Sequence, residues 1–493
     1  MITEARPDGA VVTRPETPEE LSLRLTIEAR DAIDARDLEK AEGLLWQALA
    51  LHSGNAEAWH HAGLIARLSG LYTSASVLMG RATEIDPDNA AYWCNFGECC
   101  SNAGRLADAE AAYAKALAGD PRCPQTLNNL GVLLMKLDRL EESEDRFLEA
   151  IRLKPDFSAA HLNLCKLYLQ NAQQDAATRH ALIAVGNDPD KAEARWNLSL
   201  CQLRTGNLRD GWRNYEARWG LPFFRRNNNT LPGNRWQGED LTGKTIAVVA
   251  EQGMGDTVQF IRYVADLKAR GAARVIAVVQ TELGSLVRTV PGVDEVLTGG
   301  EAEPTYDHWS PLLSLPLLLG IDDYAKVTWP GRYVLPGGGW AADADDEPQI
   351  GICWAGSRDH ANDRYRSIAV ADLEPLADVK AGWWNLQFGE KPPAWVRNDP
   401  MPDVKDMLDT AKVIEQLDMV VTCDTAVAHV AGAMGKPTVV LLPVSSDWRW
   451  LLDRDDTPWY PTMRLIRQHP GEPWRSVVDR LARQLQSVLA EAA

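Results

Sequence analysis

Three short segments concentrate residue types suited to holding an anion beside a titratable side chain. AEQGMGDTVQF, from Ala250, follows the apolar run IAVVAE. Gly253 and Gly255 permit close backbone approach, and Asp256 stands where a helix begins, either as its cap or as an acid facing a ligand. The third glycine of the dinucleotide fingerprint is absent. WAGSRDHANDRYRSI, from Trp354, gathers Gly356, Ser357, Arg358, Asn362, Arg364, Arg366 and Ser367, a set suited to phosphate or pyrophosphate and also found on solvated loops. In TCDTAVAHVAGAMGKP, from Thr422, Asp424 and Thr425 open a helix whose first N–H groups suit an anion. His429 lies four residues on, over Thr425, as a ligand contact or a packed core histidine.

These segments must be positioned by strands. Short apolar runs recur in the second half: IAVVAE from Ile246, RVIAVV from Arg274, QIGICWA from Gln349, WWNLQF from Trp383, DMVVTC from Asp418 and PTVVLL from Pro437. Helical stretches, among them Asp256 to Lys268 and a closing helix from about Trp474, lie between and after them. Such alternation predicts parallel sheets with crossover helices, whose ligands sit beyond the carboxyl ends of the strands. The acidic, glycine-rich PGGGWAADADDEP divides this half into two Rossmann-like domains, 244–336 and 348–493, joined by 337–347. After the last of those runs, SSDWRWLLDRDDTPWYPTMRLIRQ crowds Trp448, Arg449, Trp450, Trp459 and Tyr460, either as a cleft wall or as an apolar plug. Its DRDD at 453–456 reads as a solvated face rather than a metal ligand set.

The first half repeats itself. Pro87, Pro121, Pro155 and Pro189 are 34 residues apart, as are Gly63, Gly97 and Gly131, and Ala48, Ala82, Ala116, Ala150 and Ala184. That period is the tetratricopeptide repeat, two antiparallel helices per unit, with units starting near Ser22, Ala56, Ala90, Pro124, Ser158 and Ala192. The pattern departs at position 165, where Cys replaces the usual Gly. Trp59, Trp93 and Trp196 fall at packing positions of the repeat. The expected organisation is a flexible start over 1–20, an α-solenoid over 21–225, a polar linker over 226–243 and then the α/β domains. A solenoid's concave face fits a partner protein; self-association through the repeats is the alternative.

Composition narrows the functions. With 51 Lys and Arg against 69 Asp and Glu the net charge is −18, which disfavours nucleic acid and anionic lipid as partners. No apolar run is long enough to span a bilayer, and no basic start precedes an apolar stretch, so a cytoplasmic location is expected. Eight scattered Cys without a CxxC pair predict buried thiols rather than a zinc site or disulfides.

In their order, the three loops resemble those of GT-B glycosyltransferases of the heptosyltransferase-like group. The match spans roughly 244–490, with GMGD at 253–256 and DTAVAH at 424–429 as its most specific parts. With the repeats included, the chain resembles bacterial fusions of tetratricopeptide repeats to such a transferase, some of which glycosylate proteins, flagellin among them. The resemblance implies an inverting, metal-independent transfer from a nucleotide sugar, a substrate rather than a bound cofactor, to a Ser or Thr hydroxyl of a recruited protein. It makes Asp256 the general base and Thr425 and His429 donor contacts. Asp424 and the loop carrying Ser357, Arg358, Arg364 and Arg366 would hold the leaving phosphate. Gln252, Gly255, Trp354, Gln387, Trp448 and Arg449 would line the cleft. Ala426 stands where heptosyltransferases often carry Gly. A glycan or lipopolysaccharide acceptor, or a scaffold with a degenerate transferase, are the competing readings.

Overall fold

The computed structural model describes residues 2–5, 11–227, 230–299, 305–340, 347–358 and 362–492. It divides into two compact units, Met1–Leu167 and Tyr168–Ala493. The first 20 residues, expected to be flexible, contain two strands, β1 (Ile2–Ala5) and β2 (Val11–Arg14), paired antiparallel. The first helix, α1 (Pro18–Asp34), starts earlier than the repeat pattern implied, at a capping box in which Thr17 and Glu20 exchange hydrogen bonds.

The repeat helices follow as α2 (Leu38–Leu51), α3 (Ala56–Leu68), α4 (Tyr72–Ile85), α5 (Ala90–Asn102), α6 (Leu106–Gly119), α7 (Pro124–Lys136), α8 (Leu140–Leu153), α9 (Ser158–Gln170), α10 (Gln174–Asn187), α11 (Ala192–Arg204) and α12 (Leu208–Tyr215). Their glycines allow each pair to close. A Cβ on Gly63 would stand 2.5 Å from Met79 Cγ, and one on Gly131 would stand 2.5 Å from the Phe147 ring. Ser143 fills the small-residue position of α8 and donates its hydroxyl to Gly131 O at 2.7 Å. A second 34-residue period lies in the turns: Arg36, Gly70, Gly104, Asp138, Ala172 and Gly206 all adopt positive φ. Trp59 and Trp93, expected in the packing interior, are half-buried, and each gives its indole N–H to the carbonyl six residues back.

The second unit carries two all-parallel sheets. In the first, β3 (Thr245–Val249), β4 (Arg274–Val278), β5 (Glu295–Leu297) and β6 (His308–Pro311) run in the order β5-β4-β3-β6. In the other, β7 (Gln349–Cys353), β8 (Gly382–Asn385), β9 (Met419–Cys423), β10 (Thr438–Leu442) and β11 (Met463–Arg467) run β11-β10-β9-β7-β8. Strand β11 lies inside the segment that was expected to follow the last core strand. Both faces are buried, as parallel sheets require. Val440 and Leu442 share a core with Ile246 and Val248, while Leu441 faces Val477, Val478 and Leu481 of the closing helix, Trp474–Ala492. Chain order reverses beside β3 in one sheet and between β7 and β9 in the other, so loops after β3, β7 and β9 open at the two crevices.

Within the second unit, the last repeat helices and the linker pack with the first sheet. The division between the two compact units falls inside α9. Leu203, Leu208, Trp212 and Tyr215 of α11 and α12 belong to the same core as the first sheet. The linker, too, is built in: Trp236 is buried, and Asn234 and Trp236 hydrogen-bond to Trp309 on β6. Residues 228 and 229 of that linker, and 341–346 of the joint between the sheets, lie outside the described residues. Seven of the eight Cys are buried thiols. Among the described residues no helix is long and apolar enough to cross a membrane, and no cluster of His, Cys, Asp or Glu is arranged to hold a metal.

Candidate active site

The loop after β3 enters the helix Met254–Phe260 through Gly253. Asp256 is the helix cap that one reading of its position expected. Its Oδ2 accepts the Gly253 N–H at 2.9 Å, capping the helix, while Oδ1 is ion-paired with Arg449 Nη2. Arg449 is buried, gives Nε to Gln259 Oε1 at 2.6 Å and Nη1 to Asp447 Oδ1 at 2.7 Å, and lies 4.4 Å from the centre of the Trp448 ring. A single guanidinium from beyond β10 thus fixes the acid of the first sheet.

On the second sheet, Thr425 stands at the start of the helix Ala426–Ala433 in an extended conformation. Its hydroxyl meets Thr422 Oγ1 at 3.1 Å and makes no capping bond, which leaves first-turn N–H groups available to an anion. Arg366 reaches across from the loop after β7 and donates to Asp424 O at 2.9 Å. Burial, and then Asp447 nearby, push the Asp424 carboxyl up to about 6. His429 is buried, its Nδ1 3.0 Å from Tyr460 OH and its ring stacked on Trp450 at 5.6 Å. Burial, followed by Arg449 and Arg262, holds it well below the ordinary histidine range, so the imidazole is neutral at pH 7. Position 255 must be Gly: a Cβ there would lie 2.6 Å from His429 Cδ2, in the seam where the two helices meet.

These groups border one cavity of about 540 Å³. Its walls bring together Gly255 and Asp256 from the first sheet, Ser357 and Arg366 from the loop after β7, Asp424, Thr425 and His429 after β9, and Trp448 and Arg449 after β10. Other expected residues are placed elsewhere. Arg358 is 85% exposed and pairs with Glu390 at 2.8 Å, and Arg364 lies over the Tyr365 ring. Gln252 turns away to donate to Tyr215 OH at 2.9 Å. Trp354 is buried in the core behind the sheet, with its indole N–H on Glu390. Gln387 acts from behind: its Oε1 accepts the backbone N–H of Trp354 at 3.2 Å and of Ala355 at 2.8 Å, shaping the loop after β7. The aromatic cluster is chiefly a plug, with Trp448 edge-on to Trp212 at 5.3 Å and to Trp459 at 6.1 Å.

Sequence reasoning missed two contributions. Asp447, Ser445 and Ser446 line the cavity after β10, at the strand end where such sheets bind ligands, a signal present in the LPVSSD segment. The other comes from the repeats. Arg204 of α11 lines the cavity, and Arg218, just beyond α12, grips Glu251 at the mouth of the first loop. Arg218 Nε and Nη2 reach the two Glu251 oxygens at 2.9 Å each, and Nη2 also reaches Ser314 Oγ at 2.8 Å. Burial pushes the Glu251 carboxyl up, while for Arg218 the attraction of Glu251 and Glu216 outweighs burial and raises it. The bidentate geometry marks the pair as ionised.

Comparison with known proteins finds a match within each half. Residues 101–157 and 162–210 match the tetratricopeptide repeat, and residues 406–478 match glycosyltransferase family 9 (heptosyltransferase). The chain thus carries stretches similar to tetratricopeptide repeats and, further on, a stretch similar to glycosyltransferase family 9. That segment contains Asp424, Thr425, His429, Asp447 and Arg449, whereas Asp256 and Arg366 lie outside it. The chain is 26% identical over 327 residues to Protein FlbA of Caulobacter vibrioides, covering 58% of this chain and 54% of that protein, about half the relative's length. Among solved structures, PilW, a type IV pilus biogenesis factor, is 20% identical with a TM-score of 0.38 over 41% of this chain and 93% of that one. YrrB, a tetratricopeptide-repeat protein with an unusual peptide-binding site, is 19% identical with a TM-score of 0.30 over 35% and 89%.

Proposed function

We propose that the chain transfers a sugar from a nucleotide-sugar donor to a hydroxyl of a protein recruited by its repeats. The observation that carries the reading is the single cavity in which Asp256 of the first sheet faces Arg366 and the Thr425 helix start of the second. On this reading Asp256 takes the acceptor's proton as its oxygen attacks the anomeric carbon, and the bond to the donor's phosphate breaks on the opposite side, inverting the centre. Arg366 and the first N–H groups of the Ala426–Ala433 helix receive the departing charge, so the step calls for no bound metal. His429, being neutral, offers a hydrogen bond rather than a charge. The repeats support a protein acceptor, and flagellin is the first to test.

The test compares intact masses of candidate acceptor proteins from cells carrying the wild-type chain, D256N, or no chain. Asn preserves the cap on Gly253 and removes the base, so transfer should fall about 10²- to 10⁴-fold. Full transfer by D256N would sink the base assignment. Transfer to a free glycan with none to any protein would favour a glycan acceptor instead, the reading that the family description supports.

A further inference from the structure

One wall of the cavity is built by neither sheet. Arg204, the last residue of α11, lines it beside Leu169 and Leu200. Its side chain is deeply buried, the residue being 4% exposed, yet its hydrogen bonds go only to carbonyls: Nη1 to Leu169 O at 3.1 Å and Nη2 to Val444 O at 3.4 Å. Its Nε has no acceptor among the described residues. The carboxylate that acts on it, Asp447, is already bound to Arg449 at 2.7 Å. The two other arginines of the wall each have a carboxylate, Arg366 on Asp363 at 3.3 Å and Arg449 on Asp256 and Asp447. Burial pushes the Arg204 guanidinium down, as expected for a cation withdrawn from water without a counter-ion.

A buried guanidinium with no carboxylate bonded to it, lining a cavity also faced by Arg366 and an uncapped helix start, is complementary to an anion with several acceptor oxygens. We infer that Arg204 binds the diphosphate of the nucleotide-sugar donor, so the last repeat is part of the donor site as well as of the solenoid. This deepens the glycosyltransferase reading and rests on it. Asp447 then has a second role, orienting Arg449 while leaving Arg204 for the ligand.

The experiment titrates the full chain with UDP, GDP, ADP and CDP by calorimetry, and takes the tightest binder and its parent nucleoside as probes. R204Q should weaken the diphosphate about 10- to 100-fold, the worth of a hydrogen bond to a charged group, and the nucleoside less than about threefold. R204K keeps the charge without the planar fork and should fall between, and it carries the same comparison should R204Q fail to fold. A strut that merely ties α11 to Leu169 and Val444 would weaken both probes equally or neither, and either result overturns the inference while leaving the donor site standing. Binding of none of the four diphosphates by the wild-type chain would overturn the donor-site reading and the inference together.

Discussion

Replacing Arg218 by Met tests whether the repeats brace the first loop of the site. Arg218 and Glu251 have side chains 0% and 2% exposed, and two of the guanidinium nitrogens meet the two carboxylate oxygens at 2.9 Å. R218M leaves Glu251 buried with the Leu313 N–H, 3.1 Å away, as its remaining donor, and strips Glu216 of one of its two arginines. Stranding one charge of a buried pair costs about 3–5 kcal/mol, whereas replacing both partners by apolar groups is often neutral or favourable. R218M should therefore lower stability by about 3–5 kcal/mol, and R218M/E251M should recover most of that loss. Urea unfolding followed by tryptophan emission reads both, with the midpoint shifting at an unchanged slope. Because Glu251 leads directly into Gln252 and Gly253, R218M should also reduce nucleotide binding in the native protein. Stability of R218M within about 1 kcal/mol of wild type would refute the argument, since the geometry would then describe a pair with no net consequence.

Other expectations follow from local geometry. His429 is held neutral while an unfolded-chain histidine titrates near 6.5, so the unfolded state binds the extra proton and stability falls as pH drops below about 6.5; H429F should flatten thermal unfolding between pH 6.5 and 5, and an unchanged slope would contradict the burial argument. Asp424, raised to about 6, becomes an anion as pH climbs through that value, so affinity for a nucleoside diphosphate should fall across pH 5–7 in the wild type and less steeply in D424N; calorimetry at three pH values compares the two, and parallel curves would show that Asp424 does not face the anion. Ala172 takes a φ of 55° at a turn where three sister repeats carry Gly, so A172G should stabilise by about 0.5–1 kcal/mol in chemical denaturation, and destabilisation would deny strain there.

Much of the scaffold was legible because its signals are local. The 34-residue period reports contacts between neighbouring helices, and Gly63, Gly97 and Gly131 mark close approaches that any side chain would obstruct. Strands β3, β7, β9 and β10 stand out as apolar runs because both their faces are buried. Strands β5 and β6 did not: Glu295–Leu297 is three residues long, and His308–Pro311 ends in a proline after a histidine and a tryptophan. Strand β11 hides an alternation, with Arg464 exposed on the sheet's edge and Met463 and Leu465 buried. Within the site, Asp256, Arg366, Asp424, Thr425 and His429 lie in strand-end loops or in the helices those loops enter, which a topology rule places together. Arg204 and Arg218 obey no such rule. Each sits at or just past a repeat helix end, with partners 240 and 33 residues away in sequence, so its role exists only after the last repeats pack on the sheets.

The Arg449 clamp on Asp256 bears on what kind of base the proposed reaction would have. The ion pair commits one oxygen of the carboxylate to Arg449, and the helix cap commits the other, so neither is a free proton acceptor. A mechanism that deprotonates an alcohol before attack would be poorly served by such a group. In a displacement, the attacking hydroxyl becomes acidic only as its oxygen bonds to the anomeric carbon, so a weak base in the right place suffices at that moment. Placement is what this structure supplies. One Asp256 oxygen is fixed by Gly253 N–H and the other by a guanidinium that Gln259 and Asp447 orient in turn. The same geometry makes Arg449 a positioning residue: R449K, which retains charge but cannot hold Asp256, Gln259 and Asp447 together, should lose transfer while Asp256 remains intact, and the loss should fall on turnover rather than on nucleotide affinity.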